Sequence, residues 1–225
     1  MSTIPKVIHQ TWKNKKVVEY CRGLGRRSRK SLTQHYPDCQ YKLWSDADIL
    51  PLLEEPDFSP FSSLYLSQSK IKKTDIARYM ILYKYGGLYF DLDCIMRERL
   101  SSIFDHELIG YKCFRRAASA RCCSSRKKFL WPNEKGWILG NAFLGARPGH
   151  PIFLQALQSI SDEKRNYFLK TTMKHTGPER LDFVCQEHNH WDSTHVLGHS
   201  DFGNSSAVSN HGSPRYGIHL QKHQW

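Results

Sequence analysis

The sequence KTDIARYMILYKYGGLYFDLD, residues 73–93, carries the strongest local signals in the chain. Its apolar side chains recur at three- and four-residue steps, the spacing of one face of an amphipathic helix: Ile76, Tyr79, Met80 and Tyr83. Gly86 and Gly87 interrupt this pattern, and the apolar run after them is typical of a buried strand. The stretch therefore predicts a helix, a tight turn and a strand.

Two carboxylates, Asp91 and Asp93, end this predicted strand. Residues i and i+2 of a strand point the same way, so we expect the two side chains on one face, about 6 to 7 Å apart. Hard oxygen ligands at that spacing suit a divalent cation and the diphosphate it binds. The competing interpretation is that both residues only terminate the strand and cap the next segment of the chain.

The composition predicts one globular domain over residues 1–225 with an anionic partner. The chain has 33 Lys and Arg against 21 Asp and Glu, a formal net charge of +12 at pH 7. Such an excess favours binding of a nucleotide, a polyanion or a membrane surface, although solvated surface charge gives the same count.

Cysteine usage and hydropathy exclude two classes of protein. The seven cysteines are odd in number and form no repeated C-x-x-C pair, which argues against a disulfide scaffold. No apolar signal core follows the first charges and no run approaches the length of a membrane span, so for the chain as written we expect a cytoplasmic protein without a transmembrane segment.

The rest of the chain alternates strand and helix signals, as α/β proteins do. Strands are predicted near residues 6–10, 40–44, 108–113 and 137–144, and helices near 17–35, 70–85 and 151–161. Three prolines predict a loop over 51–63, small and basic residues predict a surface loop over 115–128, and no periodicity is visible from His188 onward.

Several motifs together resemble one family of enzymes. In chain order they are IPKVIHQTW at 4–12, the 73–93 stretch, NAFLGARPGHPIF at 141–153, TGP at 176–178 and a terminal H-x5-W at 219–225. The set is similar to the DXD-containing sugar transferases, which include yeast initiation-type α-1,6-mannosyltransferases, capsular polysaccharide transferases and, more distantly, clostridial glucosylating toxins.

The resemblance implies a GT-A fold, a single Rossmann-like α/β domain whose central mixed sheet is flanked by helices. It also implies transfer of a hexose of the mannose, glucose, galactose or GlcNAc type, with retention of anomeric configuration, from a UDP- or GDP-sugar to a glycan, protein-linked or other hydroxyl acceptor. The implied cofactor is Mn²⁺ or Mg²⁺, and no nucleic-acid partner is expected.

The resemblance also assigns residues around the acidic pair. Asp93 is expected to bind the metal directly, and Asp91 either to bridge between metal and ribose or to hold a coordinated water. Asp75 and Arg78, three apart on one helix face, match family positions that contact the donor sugar and phosphates, whereas an ion pair within the helix is the competing interpretation. Asn141 matches a position near the donor sugar, and the alternative is a buried amide that ties down a turn; with the two aspartates it completes the predicted catalytic set.

Two further matches are expected at the edges of the site. Trp12 matches the tryptophan on which the nucleobase stacks, although a tryptophan is more often core packing. The residues 176–178 match a loop beside the acceptor, or form the start of a helix. His9, three residues before Trp12, is expected to have a structural role.

The C-terminus departs from the family pattern, with Gln224 where serine is expected. His219 is the first choice for the third metal ligand and His223 the second. Trp225 is expected to close over the diphosphate, and Lys222 to contact phosphate.

Three other functions compete with a sugar transferase. One is a zinc site, built from a set of ligand-type residues with no recognised spacing: Cys185, His188, His190, His195 and His199. Another is a nucleic-acid-binding module that uses the basic segments 22–30 and 115–128. The last is a catalytically inactive relative kept as a scaffold.

Overall fold

Two β-sheets organise the chain in the computed structural model, which describes residues 3–16, 23–114, 137–162, 171–205 and 212–221. The strands are β1 Val7–Thr11, β2 Gln40–Trp44, β3 Gly87–Phe90, β4 Cys94–Met96, β5 Leu108–Phe114, β6 Trp137–Ala146, β7 Thr194–Leu197, β8 Phe202–Asn204 and β9 Gly217–His219. The helices are α1 Leu24–His35, α2 Asp46–Ile49, α3 Ser62–Ser67, α4 Lys70–Tyr85, α5 Pro151–Ser161, α6 Thr172–His175 and α7 Pro178–Glu187.

The larger sheet is mixed and has the order β2-β1-β3-β6-β5-β7. Strand β1 pairs in parallel with β2 and β3, whereas β6 runs antiparallel to β3 and β5. The smaller sheet has the order β4-β9-β8. Because β1 and β3 are parallel neighbours, their carboxyl ends meet at one edge, where ligands bind in open α/β sheets.

Gly86 and Gly87 make the turn from α4 into β3 possible. Both have positive φ, 60° and 88°, which side chains with a Cβ rarely adopt. A Cβ on Gly86 would lie 2.7 Å from the Ala146 carbonyl oxygen, and one on Gly87 would lie 2.5 Å from Cγ1 of Val7. The double glycine therefore lets the helix stop and the strand start within two residues.

The core lies on both faces of the larger sheet. In β3, Leu88 and Phe90 pack in one apolar cluster and Tyr89 in the other, as the alternation of a strand requires. Helix α4 buries every residue from Asp75 to Leu82. The predicted one-sided amphipathic helix is therefore wrong: α4 is covered all round in its middle, which is why polar residues there need partners.

His9 is structural, as expected. Its Nδ1 accepts a hydrogen bond from the Trp44 indole N–H at 3.1 Å, so Nε2 carries the proton and donates to the Gly86 carbonyl oxygen at 3.0 Å. Burial lowers the pKa of His9 to about 4. The neutral ring thus ties β1 to β2 and to the double-glycine turn.

Two other sequence expectations need correction, and two concern segments outside the described residues. The 51–63 segment contains 3₁₀ turns at Leu50–Glu54 and Ser59–Phe61 and buries apolar side chains, so it is more than a surface loop. The C-terminal part, expected to lack periodicity, supplies β7, β8 and β9, which are too short to show a pattern. The 115–128 loop and residues 17–22 of the predicted basic helix lie outside the described residues.

Two predicted absences can be checked only on the described residues. The cysteines described there are all free: Cys39, Cys94, Cys113 and Cys185. Among the same residues, no helix combines the length and the apolar character that crossing a bilayer requires.

Candidate functional site

Asp91 and Asp93 lie in a turn beyond β3. The backbone N–H of Cys94 donates to the Asp91 carbonyl oxygen at 3.0 Å, which closes a four-residue turn. The expectation that both carboxylates extend from one strand face is therefore wrong, because the strand ends at Phe90. The reversal of the chain, rather than the pleat, brings the two side chains together.

His219 joins the two carboxylates from a distant part of the chain. Strand β9 pairs with β4 so that His219 lies opposite Cys94, and the His219 Nε2 atom is 3.3 Å from Oδ1 of Asp93. Ligand atoms of Asp91, Asp93 and His219 all lie within 4.8 Å of one another. Six-coordinate ions with bonds of about 2.0–2.1 Å need ligand atoms about 3 to 4.2 Å apart, so only a small contraction is needed.

Tyr111 fixes the orientation of this imidazole. Its hydroxyl lies 3.2 Å from Nδ1 of His219. A histidine that binds a metal through one nitrogen usually has its other nitrogen engaged by such a partner, which sets ring orientation and tautomer. The contact leaves Nε2 directed at the acidic pair, so the geometry fits a metal ion held by two carboxylates and one imidazole.

Arg78 connects the helix to the acidic turn. Its Nη1 donates to Oδ1 of Asp75 at 2.9 Å, and its Nη2 donates to Oδ1 of Asp91 at 2.7 Å. The guanidinium also lies over the Tyr89 ring, 4.6 Å from its centroid. The predicted intrahelical ion pair is present, but it is one half of a bridge between two carboxylates. Burial raises the pKa of Asp91, and the Arg78 charge opposes that rise.

Asp75 collects hydrogen bonds from three segments of the chain. Besides Arg78, the Asn141 amide donates to its Oδ1 at 2.9 Å, and the Thr176 hydroxyl donates to its Oδ2 at 2.8 Å. Burial raises the pKa of Asp75, while Arg78, Thr176 and Asn141 favour the ionised form. Asn141 therefore finds its partner in the middle of α4 rather than in a turn. Thr176 precedes the N-cap of α7, which is Gly177.

Tyr89 links the acidic turn to the end of β1. Its hydroxyl donates to Oδ1 of Asp91 at 3.1 Å and lies 2.8 Å from Oγ1 of Thr11. Thr11 and the half-buried Trp12 line a cavity of about 190 Å³. Its lining residues are Thr11, Trp12, Lys13, Trp44, Ser45, Asp46, Ile49, Tyr65, Lys70, Lys73, Thr74 and Ala77. Two hydrogen bonds, from Asp91 to Tyr89 and from Tyr89 to Thr11, thus connect the acidic turn to the wall of the cavity.

The structure joins most of the predicted site residues. Asp75, Arg78, Asp91, Asn141 and Thr176 form one buried network, to which Asp93 and His219 are adjacent. Lys222, His223 and Trp225 lie outside the described residues.

The zinc alternative is wrong for the described residues, which include all its proposed ligands. Among the described residues, the metal-ligand side chains that come close enough together to share an ion are Asp91, Asp93 and His219, and none of the proposed zinc ligands is among them. Cys185 lies in the hydrophobic core.

Sequence reasoning missed two site residues, Tyr89 and Tyr111. Tyr89 lies two residues before Asp91 in the 73–93 stretch, so its proximity could have been noticed. Tyr111 meets His219 only because the smaller sheet packs against β5. Nothing in the local sequence around Tyr111 indicates that contact.

Comparisons with known proteins agree with the motifs. Residues 25–109 match the family described as a glycosyltransferase sugar-binding region containing a DXD motif. Inositol phosphoceramide mannosyltransferase 2 of Schizosaccharomyces pombe is 31% identical over 190 residues, which cover 82% of this chain and 47% of the relative. A mannosyl phosphorylinositol ceramide synthase of Saccharomyces cerevisiae is 31% identical over 196 residues, 85% of this chain and 45% of the relative. The chain spans a little under half of these relatives.

Solved structures support the fold. The galactosyltransferase LgtC, in complex with donor and acceptor sugar analogues, superposes with a TM-score of 0.55 at 13% identity, over 95% of this chain and 86% of that one. Mouse xyloside xylosyltransferase 1 gives a TM-score of 0.54 at 10% identity, over 97% and 98%. With the mixed sheet and its flanking helices, this confirms the predicted GT-A fold.

Proposed function

Because the chain belongs to the glycosyltransferase family whose sugar-binding region contains a DXD motif, we propose that it is a metal-dependent hexosyltransferase that uses a nucleotide-sugar donor. One observation carries the proposal. Two carboxylates and an imidazole converge at the carboxyl ends of β1 and β3, beside a cavity lined by Trp12. Such an arrangement can hold a cation, the diphosphate it binds and the attached base in one continuous site.

Asp91, Asp93 and His219 are the proposed metal ligands. Arg78 and Tyr89 both bond Oδ1 of Asp91, which leaves Oδ2 available to a cation. A site of two carboxylates and one imidazole favours Mn²⁺ over Mg²⁺, because Mg²⁺ prefers ligands that are all oxygen atoms. The bound ion would neutralise negative charge that develops on the departing diphosphate.

Arg78 is proposed to assist this charge balance from beneath the acidic turn. Its guanidinium is buried, and its Nε has no acceptor within the described part of the chain. Because that nitrogen is enclosed by the fold, Arg78 is proposed to act on the diphosphate through its charge and through its bond to Asp91. Asp75 and Asn141 hold the helix side of the network in place and are proposed to border the donor sugar.

Trp12 and Asp46 are proposed to select the nucleobase. The Trp12 ring offers a stacking surface, and Asp46 lines the same cavity at the first turn of α2. A carboxylate can accept two hydrogen bonds from the Watson–Crick edge of guanine, whereas uracil presents one donor between two carbonyl oxygens. The cavity therefore favours a GDP-sugar over a UDP-sugar.

Mannose is the proposed sugar, and a hydroxyl of a polyol or glycan is the proposed acceptor. The relatives named as inositol phosphoceramide mannosyltransferases suggest both, including an acceptor whose hydroxyls belong to a lipid head group. Retention of configuration rests on the family resemblance and fits the absence of a dedicated nucleophile in the motifs. The cytoplasmic location and the single domain over 1–225 stay predictions.

Metal-dependent nucleotide binding tests the proposal. We expect GDP to bind, by calorimetry, only with Mn²⁺ or Mg²⁺ present, and we expect Asp93→Asn to abolish binding, since it removes a ligand charge from the site. The matched control, Asp105→Asn, removes an exposed carboxylate and should bind like the unmodified chain.

Metal-independent GDP binding by Asp93→Asn would refute the proposed metal site. Hydrolysis of a donor, followed by product chromatography over a panel of nucleotide-sugars, separates an enzyme from an inactive scaffold. A scaffold would keep the fold and turn over no donor in the panel.

A further inference from the structure

Helix α1 presents a strongly basic face to solvent. Its buried residues, Leu24, Gly25, Ser28 and Leu32, lie on one side of the helix. At about 100° per residue, four exposed basic side chains lie on the solvent-facing remainder of the helix, Arg26 and Lys30 opposite the buried side and Arg27 and Arg29 at its two flanks. The helix contains no acidic residue.

The described acidic residues do not neutralise this face. Within the described part of the chain, none of the four basic side chains lies within ion-pair distance of a carboxylate, and Arg29 packs over the Tyr41 ring at 4.7 Å. The core does not need these charges, because the apolar contacts of α1 come from its other side. Unpaired like charges that are gathered on one face repel each other, and a polyanionic partner would relieve that repulsion.

The basic face is fixed relative to the acidic turn. The Ser28 hydroxyl donates to the carbonyl oxygen of Cys94 at 2.7 Å, directly after Asp93, and Leu24 packs against Leu92. Because a helix with its side chains is about 10–12 Å thick, the basic face lies roughly one helix diameter from the proposed metal site. A partner bound there would reach the edge of the site.

We propose that the α1 basic face docks the protein on an anionic lipid bilayer. A helix that lies flat on a bilayer brings Arg26 and Lys30, one turn apart at the centre of this face, to the surface together, with Arg27 and Arg29 at its flanks, and each Lys or Arg near the surface is attracted by the negative potential. Single-stranded nucleic acid fits this face less well, since helix α1, Leu24–His35, itself carries no Trp, Tyr or Phe side chain on which bases could stack. The inference extends the proposed function, because a docked enzyme would meet an acceptor whose hydroxyls belong to a lipid head group.

Vesicle binding tests this surface without donor, acceptor or metal. We expect the full chain to sediment with phosphatidylcholine vesicles that contain phosphatidylinositol but not with pure phosphatidylcholine vesicles. Arg26→Gln/Lys30→Gln removes two charges and keeps good helix formers, and it should weaken partitioning by about 25-fold. The control Lys84→Gln/Arg147→Gln also removes two positive charges, but at the C-terminal end of α4, which lies at the other end of β3 from the acidic turn. Lys84 pairs there with Glu55 and Arg147 with Glu107, and this variant should bind vesicles like the unmodified chain.

Three results would overturn the inference. They are absence of binding to either vesicle, equal weakening by the control pair, and tighter binding of an RNA oligonucleotide that the α1 substitutions remove. Metal-dependent hydrolysis of a soluble donor should be unchanged in the α1 variant. If the unmodified chain binds vesicles but hydrolyses no donor, the proposed function fails while the docking surface stands.

Discussion

The substitution Asp75→Asn tests whether the buried network is ionic. Asp75 is 6% exposed and accepts hydrogen bonds from Arg78, Asn141 and Thr176. Asparagine keeps the shape but removes the charge, and it places an amide NH₂ where one carboxylate oxygen accepted. The Arg78 guanidinium then keeps only Asp91 as its anionic partner.

The expected loss of stability can be estimated from the contacts. Removing one partner of a buried ion pair costs about 3–5 kcal/mol. Arg78 retains its bond to Asp91, and Asn141 can still donate to the new amide oxygen, so we expect about 3 kcal/mol, the lower end of that range. For a chain of this size, such a loss lowers the melting temperature by roughly 6–12 °C.

Urea unfolding and thermal melting of the purified chain measure this change. Asp57→Asn, which alters an exposed carboxylate without a described partner, is the matched control and should be neutral. A loss below about 1 kcal/mol for Asp75→Asn would refute the reasoning. It would mean that Asp75 is protonated in the folded chain, as its raised pKa allows, and that Arg78 is held by Asp91 alone.

Three single contacts give further predictions. Because of His9, the free energy of unfolding should fall by up to about 3 kcal/mol as the pH is lowered from 6.5 to 4. Over this range the His9 side chain of the unfolded chain binds a proton, whereas the folded ring, which accepts a hydrogen bond from Trp44, does not. In urea unfolding at several pH values, His9→Gln should reduce the pH dependence of that free energy by the equivalent of one proton. Tyr111→Phe should weaken Mn²⁺ binding about 10- to 100-fold by calorimetry, since it frees the His219 ring, and unchanged affinity would contradict that role. Asp46→Asn should reduce the preference for GDP over UDP in competition binding, and an unaltered ratio would show that the carboxylate does not contact the base.

Local signals in the sequence predict the central elements well. The bounds predicted for α4, β2 and α5 match the structure, because a double glycine, a capping serine and a first-turn proline mark their ends. The acidic pair is also predicted, although for a wrong geometric reason. A strand pleat and a four-residue turn both bring residues i and i+2 close, so the sequence cannot distinguish them.

Long-range contacts account for what the sequence could not predict. Thr176 meets Asp75 across 101 positions of the chain, and Tyr111 meets His219 across 108. Each contact depends on how β6, α7 and the smaller sheet pack together, and no spacing in the sequence encodes it. The all-round burial of α4 has the same origin, since tertiary packing rather than periodicity determines which helix faces are covered.

The charges gathered at the acidic turn explain why a divalent ion suits this fold. Asp75, Asp91 and Asp93 are all buried, and the Arg78 guanidinium offsets only one of their three negative charges if all are ionised. Burial of the two remaining charges is unfavourable, which is the reason that the pKa of Asp91 is raised. A divalent cation would supply the missing charge, and an imidazole binds a metal as a neutral ligand, so His219 would add no charge of its own as a ligand. The same buried excess of negative charge would therefore favour binding of a divalent cation at the proposed metal site.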